Sequence, residues 1–172
     1  MEKLILEKPQ RITKNKEKLE KKLEIKIGIK GSEITIDGSP ENEYIAEKVI
    51  DALEFGFPFS VALLIKEEDF IFEVIKIKDY TRRKDLTVVK ARVIGKGGKA
   101  LRTLNHLTKC YFEIKDYLVG VVGEPKNIKT ANEAMIYLIQ GSKHSNVYSF
   151  LEKHQIKPIL DLGLKKIKKP KS

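Results

Sequence analysis

The chain comes close to repeating itself, and this restricts its fold more than any single motif does. "SPENEYIAEKVIDAL" (39–53) and "EPKNIKTANEAMIYLIQG" (124–141) superimpose at one offset, which lays Pro40 on Pro125, Asn42 on Asn127, Ala46 on Ala131 and Leu53 on Leu138. In the first of these Ser39 reads as an N-cap, Pro40 as the first helical residue, and Ile45, Val49, Ile50 and Leu53 as a buried stripe. Ahead of each helix lies an alternating stretch, "LEIKIGIKGSEITIDG" (23–38) and "CYFEIKDYLVGVVG" (110–123). Each reads as an antiparallel hairpin, turning at Lys30–Gly31 and near Asp116. Ahead of each hairpin stands a charged helix pattern, "NKEKLEKKL" (15–23) and "GKALRTLNHLTK" (98–109), and a short strand candidate opens the chain. The expected fold is α/β (α+β), with two strand–helix–hairpin–helix units, each a small three-stranded sheet packed against helices.

Between the copies, "FGFPFSVALLIKEEDFIFEVIKIKDY" (55–80) predicts a short helix after Pro58 and an apolar strand at 70–77. Its aromatic and branched residues predict that it packs between the units. The expected division is 1–79 for the first unit with its connecting helix and strand, 80–155 for the second, and a lysine-rich tail at 156–172.

Charge separates these units. The formal net charge is +10, but residues 1–79 carry 14 Lys/Arg against 17 Asp/Glu, while 80–172 carry 20 against 7. The second half therefore predicts a polyanionic partner. Cys110 is the only cysteine, which excludes an intramolecular disulfide and fits a reducing compartment. No apolar run approaches the ~20 residues that span a bilayer, and no signal-peptide core follows "MEKLILEKPQ". A cytoplasmic protein without a membrane partner is the expectation. Abundant Lys, Glu and Ile with little Gln resemble the balance found in heat-loving organisms.

The motif that carries chemistry is "RVIGKGGKALRTLNHL" (92–107), which has three glycines within four residues between a β-branched run and a helical pattern. Gly95, Gly97 and Ala100 formally satisfy a dinucleotide fingerprint, with a strand before and a helix after. That fold needs the next strand to run parallel, whereas a tight hairpin follows here. A phosphate loop of the G-x-x-x-x-G-K type fails at Ala100 and Leu101. The remaining reading is a GXXG clamp, Gly95-Lys96-Gly97-Gly98, of the kind that approaches the backbone of about four nucleotides. Lys96 would supply charge, and Lys99, Arg102 and His106 would form a basic stripe on the following helix. Arg92, Ile94 and Tyr111 complete the candidate RNA-binding set, with Ile94 and the strand around Tyr111–Ile114 lining an apolar groove for bases.

Residues 92–152 resemble the second KH domain of the small-subunit ribosome assembly factors known as partner-of-Nob or Dim proteins. "IGKGGK" (94–99) and "GSKHSNVYSFLE" (141–152) carry the resemblance. It implies two tandem type I KH-like subdomains, the second in βααββα order. It further implies binding of small-subunit rRNA near its 3′ end, with a Nob-type endonuclease and the α subunit of translation initiation factor two as partners. In the first copy Thr13, Lys14, Asn15 and Lys16 take the place of GXXG, followed by a shorter helix. The first copy is therefore expected to be a degenerate scaffold or protein-binding domain.

No catalytic residue, metal site, cofactor or small-molecule substrate is expected. His144 and Ser145 are adjacent on a helix and point apart, with Asp161 far downstream. Cys110 near His106 reads as a small buried residue at a strand start, and three scattered histidines do not make a zinc site. Two alternatives share these features, a generic KH regulator of other RNAs and a protein-interaction scaffold.

Overall fold

A computed structural model describes residues 1–155. The lysine-rich tail expected at 156–172 falls outside the described residues.

The first unit runs β1 (Glu2–Ile5), α1 (Gln10–Leu23), β2 (Lys26–Lys30), β3 (Glu33–Asp37), α2 (Pro40–Phe55) and α3 (Phe59–Glu67). Its three strands form an antiparallel sheet in the order β1-β3-β2. Alternation puts Ile27, Ile34 and Ile36 on one face, where they are buried with Ile12, Leu19 and Leu23 of α1 and Val49, Ile50 and Leu53 of α2. The Ser39 hydroxyl accepts from the Asn42 amide at 3.2 Å, so the expected N-cap is formed.

The second unit runs β4 (Ile71–Lys76), α4 (Ile77–Tyr80), α5 (Leu86–Ile94), α6 (Lys99–Thr108), β5 (Tyr111–Lys115), β6 (Leu118–Gly123), α7 (Pro125–Ile139) and α8 (His144–His154). Its sheet order, β4-β6-β5, repeats that of the first. Phe112, Val119 and Val121 bury one face of it against Val89, Val93, Leu104, Ile128, Met135 and Leu138. The hairpin turns correspond as well, since Gly31 and Asp116 fall at equivalent places and both have positive φ, 64° and 53°.

Four expectations are corrected. The β-branched run ahead of the glycine loop is helix α5, because Val89 and Val93 are one helical turn apart on the buried side and Asp85 caps the Thr87 amide at 3.0 Å. The strand at 70–77 does not belong with residues 1–79: β4 pairs along its whole length with β6 of the second sheet. Helix α3 is not a connector, because the repeat offset lays it on α8. Finally, Thr13–Lys16 is no loop. Only four residues separate β1 from α1, so the first unit lacks both the α5 equivalent and the loop, and α1 is longer than α6, at 14 residues against 10.

The units meet face to face. Phe72 and Val122 pair on the outer face of the second sheet and pack, with Phe70 and Leu118, against the first unit's core. Phe55, Phe57 and Phe72 form an aromatic trio with ring centroids 5.6–6.0 Å apart. Gly120 lies beneath it, and a Cβ there would stand 2.6 Å from the Phe55 ring. The aromatic segment thus packs between the units as its composition predicts.

Candidate nucleic-acid interface

Helix α5 ends where Gly95 adopts φ 75° and ψ 171°. Gly97 and Gly98 follow with φ 60° and 76°, so all three loop glycines occupy backbone that side chains rarely adopt. Their jobs differ. A Cβ on Gly95 would lie 2.6 Å from the Ala100 Cβ and 2.7 Å from its amide nitrogen, so this glycine lets the loop close against α6. At Gly97 the same position is empty to 4 Å, and the missing side chain leaves the main chain open to an approaching ligand. The loop is held from within: the Gly98 amide donates to the Gly95 carbonyl at 3.1 Å, and Arg102 Nη1 donates to the Gly97 carbonyl at 2.7 Å.

Helix α6 buries Ala100, Leu104 and Thr108, which turns Lys99, Arg102 and His106 to solvent with Lys96 beside them. No carboxylate occurs between Asp85 and Glu113, a span holding six Lys/Arg. Among the described residues neither Lys96 nor Lys99 forms an ion pair. The loop, the exposed main chain and the stripe therefore make one positive ledge suited to a phosphodiester chain.

The structure gathers Ile94, Gly95, Lys96, Gly97, Gly98, Lys99, Arg102 and His106 at this ledge, with Ile94 half-buried. Two expected members are placed otherwise. Arg92 is half-buried, its Nη2 donates to the Ser142 carbonyl, and its own carbonyl accepts from His144 Nε2 at 2.9 Å. It braces the end of α5 against α8. Tyr111 is exposed but stands opposite Val122, on the sheet face that meets the first unit, whereas α6 packs on the other face.

Sequence reasoning missed the outer side of α5, where Val88, 49% exposed, and Ala91 continue the line of Gly95 as a small apolar strip. Their spacing, i, i+3 and i+7, carried that signal. It also missed Tyr117, whose hydroxyl lies 3.3 Å from Thr87 Oγ1 and whose ring lies 5.7 Å from Lys90 Nζ. Only the fold brings this turn residue beside α5.

Cys110 is buried, and burial pushes its thiol up to about 11, so it carries no thiolate at neutral pH. His106 is on the exposed side of α6, so the two are not brought together as a reactive pair. A cleft of about 280 Å³ lies at the far end of α6, lined by Leu107, Lys109, Asn127, Thr130, Leu151 and His154, away from the glycine loop. Among the described residues no cluster of metal-ligating side chains occurs, and no helix is long and apolar enough to cross a membrane.

The family model KH_PNO1_2nd, a eukaryotic type KH-domain (KH-domain type I), matches residues 71–156 and thus begins with β4. KH domain-containing protein MJ0443 of Methanocaldococcus jannaschii is 32% identical over 83% of this chain and 66% of its own length. RNA-binding protein pno1 of Drosophila pseudoobscura pseudoobscura is 33% identical over 76% of this chain and 58% of its own. The chain thus spans about three fifths to two thirds of these relatives. The crystal structure of an a/eIF2alpha–aDim2p–rRNA complex from Pyrococcus horikoshii OT3 contains a chain of similar fold, with TM-score 0.78, 25% identity, and coverage of 88% of this chain and 92% of that one. The GXXG ledge in a βααββα unit, the duplicated sheet order and these matches agree: the chain belongs to the PNO1/Dim2 family of KH-domain proteins.

Proposed function

We propose that the protein binds single-stranded RNA at the ledge formed by Gly95–Gly98 and α6, and that it acts in maturation of small-subunit rRNA near its 3′ end. The observation that carries this reading is the open main chain at Gly97, flanked by Lys96 and Lys99, which form no ion pair among the described residues. In this reading the loop amides and Lys96 hold the sugar–phosphate backbone, Lys99, Arg102 and His106 continue the phosphate track, and Ile94, Val88 and Ala91 meet bases. Arg92 positions the loop through its bond to the Ser142 carbonyl. The action is recognition without bond chemistry, in the cytoplasm. The rRNA in the related complex supports the ligand class. The same complex supports the α subunit of translation initiation factor two as a protein partner, and a Nob-type endonuclease is proposed from the family resemblance.

The test is a double variant, Lys96→Asp with Gly97→Asp, assayed against a single-stranded RNA carrying the small-subunit rRNA 3′ segment. Binding is expected to fall at least ~100-fold, while circular dichroism and melting temperature stay near those of the unaltered protein. Retained affinity would remove the clamp assignment. Wild-type affinity should also fall steeply with salt, with a log–log slope of about −0.7 per phosphate neutralised.

A further inference from the structure

The glycine ledge is entered from α5, so the end of α5 sets its direction, and that end is gripped by the linker between α7 and α8. Helix α7 stops in a glycine turn. Gly141 takes φ 103°, the Ser142 amide donates to the Tyr137 carbonyl at 2.9 Å, and the Gly141 amide donates to the Leu138 carbonyl at 3.1 Å. This turn fixes the Ser142 carbonyl, which accepts from Arg92 Nη2. His144 then opens α8, a helix held in place by buried Val147 and Leu151. Its Nε2 lies 2.9 Å from the Arg92 carbonyl. A carbonyl only accepts, so Nε2 carries the proton and His144 donates. Arg92 stands in the last turn of α5, where helix carbonyls run out of intrahelical donors. His144 thus caps, from another helix, the turn that leads into Gly95. The Arg92 guanidinium is committed to the same linker, and its Nε is buried rather than offered to a ligand.

The first unit shows what this linker does where there is no clamp. At the repeat offset Gly56 falls on Gly141, Phe57 on Ser142 and Phe59 on His144. The turn is the same, with Gly56 at φ 132° and the Phe57 amide donating to the Ala52 carbonyl at 3.1 Å. The side chains differ in kind. A phenylalanine stands where His144 would donate, and Phe57 joins the aromatic trio between the units. The unit without an α5 equivalent and without a glycine loop therefore also lacks the clasp. A histidine needed only to make the turn would not follow the loop in this way.

We propose that His144 is a positioning residue for RNA binding: by holding the Arg92 carbonyl it fixes the angle at which α5 delivers Gly95–Gly98 to the RNA backbone, without touching RNA itself. It rests on the reading that the clamp holds RNA. A loop already in its binding geometry need not be ordered by the ligand, and apparent affinity rises with the fraction of molecules in that geometry.

The experiment compares three full-chain variants. His144→Phe keeps a ring and removes the donor, His144→Gln places an amide nitrogen where Nε2 stood, and the third is the clamp variant above. Each is titrated with the rRNA 3′ segment across a salt series, and amide hydrogen exchange at Gly95–Gly98 is followed without RNA. His144→Phe should bind about three- to tenfold more weakly, with the salt slope of the unaltered protein, because no phosphate contact is lost. Its loop amides should exchange faster. His144→Gln should restore affinity to within about twofold. Unchanged affinity in His144→Phe, a reduced salt slope, loop exchange like that of the unaltered protein, or a His144→Gln variant as weak as His144→Phe would each overturn the proposal. Should His144→Phe fail to fold, His144→Asn, whose amide is too short to reach the carbonyl, takes its place. If the clamp variant retains full affinity, it is the RNA reading of the clamp that fails, and the loop exchange alone decides whether His144 holds the loop.

Discussion

At the scale of the residue, the glycine loop divides its work. Gly95→Ala would drive a Cβ into Ala100 at a φ that side chains resist, and should cost about 2–4 kcal/mol. Gly97→Ala faces open space and should cost only about 1 kcal/mol from its φ. Urea melts of the two variants check the difference, which the spacing of the glycines could not show because it depends on what lies opposite each one. Cys110 offers a pH test. Burial holds its thiol up to about 11, above an unfolded value near 8.5. The folded form then keeps a proton that the unfolded form loses, so the contribution is complete below roughly pH 8.5 and declines as pH rises toward 11. Between pH 9 and 11 the wild-type melting temperature should fall further than that of Cys110→Ala. The glycine loop was legible because its backbone demands are local. Arg92 was not, because its partner Ser142 lies fifty residues away in sequence.

At the scale of the element, the hairpins and the helices after them were readable, since alternation, the Ser39 cap and the two N-terminal prolines are local signals. Helix α5 was harder. Its valines favour strands by propensity, and only the burial of Val89 and Val93 one turn apart decides for helix. Helix α1 was foreshortened for the opposite reason. "PQRIT" opens on a proline and ends on two β-branched residues, yet Ile12 extends the stripe of Leu19 and Leu23 and draws the first turn into the core. Helix α3 was legible as a helix but not as a repeat. It shares only Ser60/Ser145 and Glu67/Glu152 with its partner α8, and its place after α2 is what reveals the match.

At the scale of the whole molecule, the two units are packed together because Phe72, Leu118 and Val122 on the outer face of the second sheet lie against the first unit's core. Gly120→Val would force the aromatic trio apart and should destabilise the protein by about 1–3 kcal/mol. A melt that loses cooperativity, with the second unit's hairpin opening first by hydrogen exchange, would confirm that the contact couples the units. The boundary escaped sequence reading because β4 lies next to α3 in the chain but pairs with β6, across a separation that no local pattern encodes. The contact is also asymmetric, with the sheet of one copy lying on α2 and α3 of the other. Head-to-tail contacts of that kind can propagate into open arrays. Here each end is mainly polar. The outer face of the first sheet carries Lys3, Lys26, Lys30, Glu33 and Thr35 around one exposed apolar residue, Ile5. On α8, the counterpart of α3, the exposed residues include Ser145, Asn146, Ser149, Glu152 and Lys153. The duplication is thus a fused pair whose two ends present mainly polar side chains where the contact between the copies presents Phe55, Phe57 and Phe72.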